Sequence, residues 1–170
     1  MSQPRLNLPD SPRWDGIFST PSFALGVLLF GESLDELRFL PAQPSTIFKP
    51  SPLLQEVWQQ LNAWRLQANF AFDLPLRPFA AKGTPFRQAV WQEIAAIPYG
   101  TTRSYGELAQ RLNSSPRAVG QACGDNPFPI IIPCHRVLAA QQQLGGFNHQ
   151  AKGDLLAVKT WLLQREGICI

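Results

Sequence analysis

Apolar and polar positions change their period along this chain. Residues 14–20, 23–30 and 34–40 are short apolar-rich runs, broken at Pro21-Ser22 and Gly31. That spacing predicts a small antiparallel meander. The Pro-rich residues 41–52 read as a loop. Ser51-Pro52 then supplies a helix cap and a first helical position, and Leu54, Val57, Trp58 and Leu61 follow at helical spacing. Phe70-Ala71-Phe72 reads as a last strand. Pro75, Pro78 and Lys82-Gly83 read as a linker.

Beyond the linker, helical spacing dominates. Thr84-Pro85 opens a helix whose apolar face is Phe86, Val90, Ile94 and Ile97, ending near Pro98-Tyr99-Gly100. Ser104-Tyr105-Gly106-Glu107 is a capping box, which starts a helix over about 105–112. Ser115-Pro116 caps the next, to about Cys123. Two short helices parted by Asn113-Ser114 make a helix-turn-helix pattern, whose second helix is the one presented to DNA. A final helix spans 155–165, with Leu156, Val158, Trp161 and Leu162 on its apolar side. Trp91 and Trp161 read as core.

Composition narrows the class. A chain of 170 residues, 45% hydrophobic, can build one medium domain or two small ones. The pattern change places the boundary at 1–81 and 82–170. Residues 1–81 hold six Lys/Arg against seven Asp/Glu, whereas residues 82–170 hold nine against five. The second part is therefore the better partner for a polyanion. No apolar run reaches 18 residues, so no membrane span is expected. The polar, Pro-broken start Met1-Ser2-Gln3-Pro4-Arg5 lacks a signal-peptide core. Three cysteines without a secretory signal suit a reducing, cytoplasmic setting. With only His135 and His149 and no CxxC, no zinc-finger pattern is present.

One run concentrates the chemistry: Ile130-Ile131-Ile132-Pro133-Cys134-His135-Arg136-Val137. It reads as a buried β-branched strand ending at a Pro, with the Cys just past it. His135 and Arg136 beside Cys134 favour the thiolate, the nucleophilic form.

The order of helix-turn-helix, Arg117-Ala118-Val119-Gly120, Asn126-Pro127 and Pro133-Cys134-His135-Arg136-Val137 resembles the O6-alkylguanine-DNA alkyltransferases, the methylated-DNA–protein-cysteine methyltransferases. Gly83-Thr84-Pro85-Phe86, Ser104-Tyr105 and Trp161-Leu162-Leu163 extend the likeness over about residues 83–167. The resemblance implies an α+β fold. Residues 1–81 would form a small antiparallel-sheet-plus-helix, ribonuclease H-like domain. Residues 82–170 would form a mostly helical winged helix-turn-helix domain carrying the reactive Cys.

The resemblance also implies a mechanism. The second helix enters the minor groove of double-stranded DNA, with Arg117, Ala118 and Gly120 at the contact. Arg117 replaces the extruded alkylguanine in the stack. Cys134 attacks the alkyl carbon and is consumed, since a thioether lacks an activated leaving group. The same step on O4-alkylthymine is compatible. His135 takes the thiol proton, oriented by Glu166. Tyr105 donates to the leaving guanine, and Asn126 braces the active-site turn. Pro129, Cys134 and Val137 line the guanine pocket, and Arg136 joins the substrate- and DNA-binding set. No cofactor or metal is implied, and the chain is expected to act as a monomer away from membranes.

The segment closing the pocket departs from the family pattern. Gly145-Gly146-Phe147-Asn148-His149-Gln150-Ala151-Lys152-Gly153-Asp154 is several residues longer than the usual Gly-Tyr-x-Gly-Gly, with Phe147 in place of Tyr. Phe147 would still pack on the base, and Asn148 would offer its backbone N–H to the guanine oxygen. The competing reading is a DNA-binding sensor of alkylated bases without transfer. A Cys-His hydrolase or a plain transcription factor each leaves part of the pattern unused.

Overall fold

A computed structural model of the chain describes residues 14–42 and 47–170. It is a mixed α/β structure with a small antiparallel sheet and, among the described residues, five α-helices. Strands β1 (Gly16–Ser19), β2 (Ala24–Phe30) and β3 (Ser33–Leu40) form the expected meander. A further strand, β4 (Ile47–Phe48), pairs antiparallel with the outer edge of β1, giving the order β3-β2-β1-β4. A loop reading of 41–52 missed β4, and residues 43–46 of that loop lie outside the described residues.

Register explains the sheet's buried face. A shift between Leu28 and Leu29 interrupts the β2–β3 ladder. It breaks the two-residue alternation, so Leu34 and Leu37 are both buried although they stand three positions apart. The strand expected at Phe70–Phe72 does not form. Its rings instead pack edge-on, and only Leu76 bridges to Leu34, with the Leu34 N–H donating to the Pro75 carbonyl at 2.8 Å. Prolines at 75 and 78 deny that segment the donors a longer ladder needs.

The helices begin where their caps stand. Ser51 accepts from the Leu54 N–H at the start of α1 (Pro52–Leu66). Thr84 does the same for α2 (Pro85–Ala95). Ser104 and Glu107 close a reciprocal capping box on α3 (Tyr105–Arg111). Ser115 caps α4 (Pro116–Gly124), and α5 spans Asp154–Arg165. Helix α1 buries Leu54, Val57, Leu61 and Trp64.

One buried cluster runs from the sheet through the helices that follow it. Phe39 of β3 meets Phe147 at 5.4 Å between ring centroids, and Phe23 meets Trp161 of α5 edge-on at 5.6 Å. Arg165 at the end of α5 stacks on Trp64 and donates to the carbonyls of Trp64, Arg65 and Gln67. It thereby satisfies the open carbonyls at the C-terminus of α1. A two-stranded parallel pair, β5 (Arg103–Ser104) with β6 (Val137–Leu138), ties the start of α3 to the segment after Cys134. No helix among the described residues is long and apolar enough to cross a membrane.

Candidate active site

The apolar run ahead of Cys134 is a tight turn, not the strand its composition suggests. Ile130 adopts φ +76°, a region that β-branched residues rarely enter. The Ile132 N–H returns to the Phe128 carbonyl at 2.7 Å. Asn126 holds the turn from inside: its Nδ2 donates to the Ile132 carbonyl at 2.7 Å, and its Oδ1 accepts from the Phe128 N–H at 3.0 Å. Asn126 is buried, so both bonds form away from water. The sheet supports the same turn, since the Leu37 N–H of β3 donates to the Pro127 carbonyl at 2.8 Å.

Cys134, His135 and Arg136 then form a single 3₁₀ turn. Cys134 is 3% exposed and lines a cavity of about 600 Å³. Burial pushes its thiol pKa up, against the smaller opposing pull of the Asn126 amide and the Lys159 ammonium. The resting Cys134 is therefore a neutral thiol. The expectation that His135 and Arg136 favour the thiolate is thus opposed by burial.

His135 is the next residue in the same turn. The Nε2 atom of buried His135 lies 2.7 Å from Oε1 of Glu166, while Nδ1 is buried without a hydrogen-bond partner. Burial holds the His135 pKa below its ordinary value, so the ring is neutral, with Nε2–H donating to Glu166 and Nδ1 carrying the free lone pair. Burial alone would raise the carboxyl pKa of Glu166. The hydrogen bonds from His135 and Arg136 outweigh it and hold the value down to about 2.

Arg136 binds Glu166 through Nε at 2.9 Å and donates from NH1 to the Ile97 carbonyl at 2.6 Å. Its side chain is 14% exposed and is held against Glu166 and the Ile97 carbonyl rather than on the cavity lining. The other expected residues fall in two groups. Tyr105, Arg117, Gly120, Phe147 and Asn148 line the cavity together with Cys134. Pro129 and Val137 are buried outside that lining, and Ala118 sits in the first turn of α4, its N–H held by Ser115. Arg117 is exposed in the same turn. The Tyr105 hydroxyl donates to the Gly146 carbonyl at 3.2 Å. Phe147 is 4% exposed and packs on Phe39, so most of its ring serves the core.

Sequence reasoning passed over Lys159, which is fully buried. Its ammonium donates to the carbonyls of Val137, Leu144 and Gly146 at 2.7, 2.7 and 3.0 Å. Burial brings its pKa down to about 8. The three bonds clamp the chain between the Cys134 turn and the loop that faces it. The signal was present: Lys159 stands four residues after Leu155 and three before Leu162, on the buried stripe of α5. Cys123 also lines the cavity, its thiol pKa raised by burial. The described residues contain no group of three or more His, Cys, Asp or Glu arranged to hold a metal.

Known proteins share this arrangement. Residues 85–168 match the family model for the DNA-binding domain of 6-O-methylguanine DNA methyltransferase. The chain is 48% identical over 163 residues to a methylated-DNA–protein-cysteine methyltransferase of Haemophilus influenzae, covering 89% of this chain and 84% of the relative. It is 37% identical to the constitutive enzyme of that name from Bacillus subtilis, covering 89% and 95%. The Mycobacterium tuberculosis OGT solved in complex with DNA superposes with a TM-score of 0.69 at 38% identity, over 88% of this chain and 90% of that one. Fold and site thus define a DNA methyltransferase whose acceptor is a protein cysteine. The chain belongs to the methylated-DNA–protein-cysteine methyltransferase family.

Proposed function

We propose that this chain repairs DNA by moving the alkyl group of O6-alkylguanine to Cys134, once per molecule. One observation carries the reading. Cys134 lines a cavity, and the adjacent His135 is oriented by Glu166 at 2.7 Å and keeps a buried, unpaired Nδ1.

The step balances as follows. The Cys134 proton passes to Nδ1 of His135, through one water, and Glu166 stabilises the imidazolium. The sulfur attacks the alkyl carbon, an S–C bond forms and the C–O6 bond breaks. The electron pair leaves with the guanine, which takes a proton from the Tyr105 hydroxyl or from solvent. Tyr105 needs only to exchange its bond to the Gly146 carbonyl for one to the purine. Its pKa, raised by burial, keeps the hydroxyl protonated for that role. No step draws on a cofactor.

Access follows from the helix pair. Helices α3 and α4 act as the helix-turn-helix of a winged domain spanning 82–170, with residues 1–81 as its support. Helix α4 presents Arg117, Ala118 and Gly120 to the minor groove, and Arg117 fills the gap left by the flipped base. Asn148 offers its backbone N–H toward the guanine oxygen. The test follows guanine recovery in a duplex carrying a single O6-methylguanine. Stoichiometric recovery that Cys134→Ser abolishes is the expected result. Tight binding to the lesion with no recovery would instead identify a sensor.

A further inference from the structure

The loop facing Cys134 ends in a side-chain clasp. Phe147 and Gln150 exchange backbone hydrogen bonds at 2.8 and 2.9 Å, and Asn148 and His149 between them both have positive φ, of 51° and 64°. This is the geometry of a two-residue type I′ turn. The turn aims the His149 ring at the end of α4. There the ring lies flat on Gly124, so closely that a Cβ on Gly124 would come within 2.5–2.7 Å of three ring atoms. Nε2 of His149 meets Oδ1 of Asp125 at 2.9 Å, and Oδ2 of Asp125 meets NH2 of Arg87 at 2.6 Å.

The position of this clasp gives it a consequence. The cavity over Cys134 is bounded on one side by Gly124, Asn148, His149 and Gln150. The same four residues bound a second cavity of about 510 Å³, whose far wall includes Glu36, Arg38 and Lys82. The His149 ring on Gly124 is therefore a partition between two spaces of similar size. Nothing covalent holds it: the His149 and Arg87 side chains are about half exposed, so solvent competes with the His149–Asp125 hydrogen bond and screens the Arg87–Asp125 pair, and the ring swings at small cost.

We propose that the Arg87–Asp125–His149 clasp determines which alkyl groups reach Cys134. The proposal rests on the transferase reading above and adds the specificity device. Closed, the clasp walls the second space off from Cys134, so that a bulky alkyl group must share the first cavity with the guanine. Open, it joins the two cavities and admits O6-arylalkylguanines, whose ring enters the second space.

The experiment compares transfer rates from duplexes carrying O6-methylguanine and O6-benzylguanine. His149→Ala removes the partition, and Gly124→Ala expels the intact ring by steric contact. Both variants should raise the benzyl-to-methyl rate ratio by up to about fivefold, the factor set by the weak hold of a screened pair. Thermal melts confirm that each variant is folded, and the two act by different routes, so loss of one fold does not remove the test. A ratio unmoved in the folded variants, with methyl transfer by the unaltered chain intact, overturns the clasp alone. Failure of the unaltered chain to transfer either group overturns the transferase reading and the clasp with it.

Discussion

Nε2 of His135 lies 2.7 Å from Oε1 of Glu166, and the opposite ring nitrogen is buried with no hydrogen-bond partner. The pair fixes the ring's tautomer and leaves its basic nitrogen free. Glu166→Gln keeps the shape but removes the charge that stabilises an imidazolium. Single-turnover transfer should slow by about 100-fold, within the range for a positioned general base. Lesion binding should be retained. Quench-flow rates alongside duplex affinities separate the two effects.

The same pair sets the acid side of stability. Glu166 has a folded pKa of about 2 against an ordinary 4.5. Its contribution is therefore full above pH 4.5 and is lost as pH falls from there toward 2. Buried His135 has a lowered pKa, so the unfolded chain takes up a proton near pH 6.5 that the folded chain refuses. Both effects lower stability as pH falls. Urea midpoints should drop steadily from pH 7 to pH 4 and steeply below it. The Glu166→Gln variant should show a flatter slope below pH 4.5.

Asn126 satisfies two buried backbone groups, the Ile132 carbonyl and the Phe128 N–H. Asn126→Ala leaves the Phe128 N–H unpaired, while the Ile132 carbonyl keeps the Cys134 N–H at 2.8 Å, a loss of about 1–3 kcal/mol at the usual cost of a buried unsatisfied group. Asn126→Asp keeps the acceptor but not the donor and should fall between. Denaturant melts measure the loss. A drop in transfer rate larger than the stability change explains would show that the turn itself presents Cys134.

Arg117 is exposed in the first turn of α4 and lines the same cavity as Cys134. If it occupies the space left by a flipped base, Arg117→Ala should slow transfer from duplex DNA by about 10- to 100-fold, reflecting a few kcal/mol of unstacking left uncompensated. Transfer from free O6-benzylguanine base needs no flipping and should slow far less. Parallel rates with the two substrates read the difference.

How far this was legible from sequence depends on the kind of signal. Ser51, Thr84, Ser104 and Ser115 each cap a helix where their local pattern places one. Capping is a contact within three residues, so it shows in sequence. The turn at Ile130 does not, because three isoleucines read as a strand until Asn126 and the flanking prolines fold them back. The rest of the site is equally non-local. Lys159 became part of it through three carbonyls 13 to 22 residues away. Phe147 lines the cavity and also packs on Phe39, more than 100 residues earlier. The two-residue strand β4 is too short for any periodicity to announce.

The central claim is that Cys134 is the alkyl acceptor. Intact-protein mass measurement after incubation with a duplex carrying one O6-methylguanine tests it most directly. The account predicts one added methyl per chain, mapped by peptide fragmentation to Cys134 and absent from Cys134→Ser, with Cys123 and Cys169 unmodified. An unchanged mass despite lesion binding, or a methyl carried by another residue, would contradict it.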